Sequence, residues 1–98
     1  MDIAKFRASI ERASPPVDLG AALQALWWDA KGNWRRAHEC AQAQEDAAGA
    51  WVHAYLHRKE GDSANAGYWY RRAGKPAATQ PLETEWETIL AALLSAAS

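Results

Sequence analysis

His53 and His57 stand four residues apart in a stretch, Trp51 to Glu60, that contains neither glycine nor proline. On a helix that spacing projects two imidazoles from one face, where their ring nitrogens can share one divalent metal ion. A site of this kind needs a third ligand. His38 is the natural one, because it falls on the preceding predicted helix, and Glu39 and Glu60 are substitutes. The zinc-protease version of the motif carries a glutamate directly after its first histidine, and here Ala54 stands in that place. The pattern therefore points to a metal site on His38, His53 and His57 without the general base of a hydrolase.

A second group of side chains surrounds the same pair. Tyr55, Asn65, Tyr68, Tyr70, Arg71 and Arg72 combine aromatic surface, an amide and guanidinium groups around one predicted hairpin. Arginine among aromatics suits recognition of a carboxylate or phosphate, and equally a protein interface. The small-ligand reading takes His53, His57, Asn65, Tyr68 and Arg72 as one pocket. Against it, Trp69 and Tyr70 share a helical stripe with Ala66 and Ala73 and read as core. Asn65 either satisfies buried backbone groups or points into a pocket. No Ser-His-Asp order and no glycine-rich phosphate loop accompanies these residues, so no catalytic residue is assigned. Cys40, three positions after Ala37, reads as a small buried hydrophobe.

The elements that must hold these residues are helical. Of 98 residues, 49% are hydrophobic, but 23 are alanine and 6 are tryptophan, while Val, Ile and Thr total only 8. So few β-branched residues exclude a sheet domain of this length. Indoles are then the bulk available to fill an alanine-rich core, Trp27 on the core stripe and Trp28 toward a neighbour. Ile3, Phe6 and Ile10 define an N-terminal helix within 2–13, stopped by Pro15 and Pro16. Leu19 to Ala30 carries the next stripe, with Asp18 as its predicted cap. Gly32-Asn33 and Gly61-Asp62 each pair a left-handed C′ glycine with a capping side chain for the following helix. They predict two tight helical hairpins, at 18–45 and 46–74. A last helix, 80–97, begins near Pro81 with Thr79 as its cap, Glu83 and Glu85 in its first turn, and an apolar stripe from Leu82 to Leu93. Its final stretch is apolar nearly all round, as for a helix buried under the domain or in an oligomer contact. The expected fold is all-α: one domain over 1–98, five or six helices, with capping helices around the two hairpins.

The two glycines lie 29 residues apart, with Ala37 and Ala66 following each at the same offset. These hairpins, over Leu19 to Ala73, resemble tetratricopeptide-type repeats, although that family's period is about 34 residues and no proline closes the first unit here. The runs Trp51 to Asp62 and Tyr68 to Gly74, with Asn65-Ala66, Trp27-Trp28-Asp29 and Trp34–Ala37–His38, resemble a family of short uncharacterised bacterial proteins. That resemblance implies a helical fold and a bacterial origin, and no reaction.

Net charge is −1, with 11 basic and 12 acidic residues, which excludes a protein dedicated to nucleic acid or an anionic membrane. One cysteine excludes an intrachain disulfide, and the N-terminus has no apolar signal-peptide core, so the expected location is cytoplasmic. With so thin a catalytic inventory, the leading expectation is a small interaction or assembly module, a homo-oligomer or a partner of another protein. No cofactor is expected, the divalent metal at the three histidines excepted. The rival expectation is a ligand-binding or enzymatic protein working through the His/Tyr/Arg surface.

Overall fold

The computed structural model describes residues 1–97, and among them every regular element is a helix. The six are α1 (Ile3–Ser9), α2 (Ala21–Ala30), α3 (Trp34–Ala43), α4 (Ala47–Lys59), α5 (Ser63–Ala73) and α6 (Leu82–Ala97). The all-α expectation holds. Both glycine turns behave as their chemistry dictates: Gly32 and Gly61 take φ of 82° and 91°. Asn33 then accepts from the Arg36 amide at 3.1 Å and Asp62 from the Asn65 amide at 3.2 Å, capping α3 and α5.

Three helix ends differ from expectation. The first helix stops at Ser9, well before the prolines, where the Ile10, Glu11 and Arg12 amides bond only three residues back; Ser9 Oγ donates to the Phe6 carbonyl at 2.6 Å and accepts the Trp27 indole N–H at 3.2 Å. Asp18 does not cap α2. Gly20 occupies the cap position, and the Ala22 amide finds Gln44 Oε1 at 2.8 Å, a cap supplied from the end of α3. At α6, Pro81 sits just outside the helix and its carbonyl accepts the Glu85 amide at 3.0 Å, which leaves Thr79 upstream of the start.

Packing centres on α4. Val52, Tyr55 and Leu56 bury one face of it against Phe6, Leu26, Trp27, Ile89 and Leu90, while Ala54 turns to a smaller cluster with Ala66 and Tyr70 of α5. The apolar stripe of α6 (Trp86, Ile89, Leu90, Leu94) lies in that main core, with the Trp86 indole donating to the Leu26 carbonyl at 3.1 Å. No described helix is long and apolar enough to cross a membrane.

Glu85 does not stay in solvent as a first-turn acid. It is 2% exposed, accepts from Arg58 at 2.8 Å and from the Tyr70 hydroxyl, and so ties α6 to α4 and α5. Asp29 is likewise buried, between the Tyr55 hydroxyl at 2.7 Å and Lys59 Nζ at 2.8 Å. Both phenols are raised above their usual range, first by burial and then by these carboxylates.

Two substitutions test this framework. In Glu85→Ala, Arg58 and Tyr70 lose a buried acceptor, so unfolding free energy from denaturant titration falls by about 3 kcal/mol; a loss below about 1 kcal/mol would mean the contact is merely superficial. Gly49, in the first turn of α4, has no room for a methyl group: a Cβ there would stand 1.8 Å from the Gln44 carbonyl oxygen. Replacing a helical glycine by alanine ordinarily stabilises by about 1 kcal/mol. Gly49→Ala is expected to reverse that sign in the same titration.

Candidate metal centre

α3 and α4 are joined by the short Gln44–Asp46 turn, with Asp46 capping α4 through the Gly49 amide at 2.9 Å. The close approach at Gly49 folds α3 back along α4 and places His38 over the face that carries His53 and His57. His53 and His38 meet Nε2 to Nε2 at 2.9 Å. Ring centroids are 4.6 Å apart for His38–His53, 5.2 Å for His38–His57 and 4.8 Å for His53–His57. One ring nitrogen from each of the three lies within 4.8 Å of the others.

The surroundings fix the rings. Glu60 Oε2 holds His57 Nδ1 at 2.6 Å. A ring that donates Nδ1–H to this carboxylate presents Nε2 toward the other two histidines. Trp34 stacks on His38 at 4.9 Å between centroids, and its own N–H is satisfied by the Leu56 carbonyl at 2.9 Å. Trp69 stacks on His53 at 3.9 Å. Two indoles from α3 and α5 thus clamp two imidazoles between them. Trp34 lies four residues before His38, so its place on the same face was visible in the sequence spacing. Trp69 was not, because it depends on how α5 crosses α4.

Burial is the largest influence on the charge state. It lowers His53 to about 4, with His38 and His57 adding like-charge repulsion. His38 is also lowered, by burial and then by His57, partly offset by Glu60 and Glu39. Neutral imidazole is the metal-binding form, and burial favours it at His38 and His53. In a tetrahedral zinc site, ligand nitrogens stand about 3.3 Å apart. An ion among the three rings therefore needs the His38–His53 pair to open by a few tenths of an ångström, and any pair near the 4.8 Å limit to close by about 1.5 Å. The donor set fits zinc, copper, nickel or cobalt, and three protein ligands leave one position open.

The wider ligand set is brought together only in part. His53 and Arg72 line one cavity of ≈ 550 Å³, with Trp69 between them. Tyr68 is exposed and accepts a hydrogen bond from Arg72 at 3.0 Å. Asn65 is half-buried outside that cavity, its backbone N–H on Asp62. His57 turns away from the cavity to Glu60. Tyr70 is buried, as the core reading expects, while Trp69 and Cys40 are half-buried. Glu60 acts on His57 and Glu39 remains exposed, so His38 is the third nitrogen of the cluster. Set beside protein-family models, curated proteins and solved structures, the chain matches none of them.

The depressed His53 pKa makes metal-free stability depend on pH. An unfolded histidine titrates near 6.5 and the folded one near 4, so acid protonates the unfolded chain first. The His53 contribution is complete above pH ~6.5 and is lost as pH falls toward ~4, at a cost of about 3 kcal/mol. Thermal midpoints of the metal-free protein are expected to fall across that window. The fall should be shallower in His53→Phe, which keeps a ring against Trp69; identical slopes in the two proteins would contradict the assignment.

Proposed function

We propose that this chain is a small metal-binding protein that holds one divalent transition ion on His38, His53 and His57. One observation carries the reading: three imidazoles from two helices converge, with burial disfavouring the charged forms of His38 and His53 and Glu60 orienting His57. A structural or packing role for histidine does not call for three ring nitrogens at one point. Isolated buried histidines pair with backbone or carboxylate groups, and like-charged rings held together disfavour protonation of each other. Binding is favoured over catalysis, because Glu60 is spent on His57 and Asp62, a second acid near that ring, caps α5 through the Asn65 amide.

The interaction-module reading draws its support from the thin catalytic inventory and the resemblance of the paired hairpins to tetratricopeptide-type repeats. The apolar C-terminal stripe that suggests self-association is turned into the core. Among the described residues the exposed large apolar side chains, Met1, Val17 and Tyr68, lie on separate segments and form no face. Metal binding is therefore the primary proposal.

Titration with Zn²⁺ against a chromophoric chelator is expected to give one site per chain. His38→Ala should weaken it by about a hundredfold or more, and Glu60→Gln, which disturbs only the orientation of His57, by about tenfold. With metal at about a hundred times Kd, stability should rise by about 2.7 kcal/mol. Absence of stoichiometric binding, or an unchanged affinity in His38→Ala, would overturn the proposal.

A further inference from the structure

The imidazole of His57 has two nitrogens, and the three-histidine centre uses one of them. The other, Nδ1, lies 2.6 Å from Glu60 Oε2. Just beyond, Gly61 takes a φ of 91° and the Asp62 amide donates to the His57 carbonyl at 2.9 Å. This left-handed turn brings the chain back beside the ring it has just left. A nitrogen of His57 and one carboxylate oxygen each from Glu60 and Asp62 lie within 4.8 Å of one another. His57 is buried, whereas both acids reach solvent. Arg58 is committed to Glu85 and Lys59 to Asp29, and among the described residues no lysine or arginine pairs with Glu60 or Asp62. Two neighbouring carboxylates therefore stand without a cationic side chain, beside the last carbonyls of α4, the negative end of that helix.

We infer that this turn is a second divalent-cation site, with His57 Nδ1, Glu60 and Asp62 as its ligands and the His57 ring as a bridge to the ion on His38 and His53. The bridge rests on the metal-binding reading given above, while the second ligand set is complete without His38 or His53. The second ion takes the place of the proton that Nδ1 shares with Glu60. That proton passes to solvent, the ring becomes an imidazolate with one lone pair toward each ion, and no electron changes hands. An imidazole with two carboxylates is a nitrogen–oxygen set that suits Cu²⁺ or Zn²⁺. Because a proton must be displaced and a ring shared, the second ion binds more weakly and loads only after the three-histidine site is full.

The test uses the full chain and Cu²⁺, whose paramagnetic resonance reports both uptake and the presence of a second copper nearby. The first equivalent is expected to give the signal of an isolated ion. A second equivalent should bind at higher concentration and reduce the signal per copper, through exchange coupling across the shared ring. Asp62→Asn keeps a side chain that caps α5; it should weaken the second equivalent by about tenfold or more and leave the first unchanged. His38→Ala should weaken the first and abolish the coupling. Uptake of one equivalent only, two additive uncoupled signals, or a second equivalent unchanged in Asp62→Asn overturns the second site and leaves the first standing. A first equivalent unchanged in His38→Ala overturns the three-histidine site and the bridge with it. If no copper is taken up, both proposals fall together.

Discussion

The burial of α4 governs the rest of the structure. A helix surrounded on most sides would ordinarily be apolar all round, yet this one carries His53, Tyr55, His57 and Arg58 into the interior or its edge. Each buried polar group must find a partner or the helix cannot be buried. The partners come from three of the neighbouring helices: Asp29 of α2 for Tyr55, Glu85 of α6 for Arg58, and His38 of α3 for His53. Among the described residues no buried side-chain nitrogen or oxygen is left unsatisfied. The fold is therefore specified by polar pairing along one helix as much as by its alanine and tryptophan core.

The carboxylate pairs and the imidazole cluster differ in one respect. Asp29 and Glu85 meet groups of opposite character and are complete as they stand. The three histidines meet one another. A hydrogen bond between His38 and His53 requires one ring to donate and the other to accept, while the third ring, His57, is held by Glu60. The stacking of Trp34 and Trp69 keeps the rings in this arrangement and limits their escape toward solvent.

Much of this was legible from residue types and spacing. Gly32-Asn33 and Gly61-Asp62 announced the hairpins through local chemistry alone, since both glycines need positive φ and both capping side chains act within three residues. The i, i+4 spacing of His53 and His57, with His38 one helix earlier, placed three imidazoles together for the same reason. What escaped was non-local. Gln44 caps α2 from 22 residues away, which no cap rule can anticipate from Asp18 standing in the expected place. Glu85 reads as a helix-dipole acid until Arg58 and Tyr70 arrive from other helices. Gly49 looks like a weak point in α4, and its necessity depends on the return path of the chain at Gln44. Trp69 scanned as core, and its role as a wall for His53 follows from the crossing of α5 over α4.

The central claim is that the three imidazoles form one coordination sphere. X-ray absorption at the zinc edge of the protein loaded with one equivalent of zinc addresses it directly, because imidazole rings give a characteristic outer-shell scattering pattern. The expected result is about three imidazole ligands with Zn–N near 2.0 Å and one lighter oxygen-donor ligand. A shell made only of oxygen, or one whose imidazole count is unchanged in His38→Ala, would contradict it.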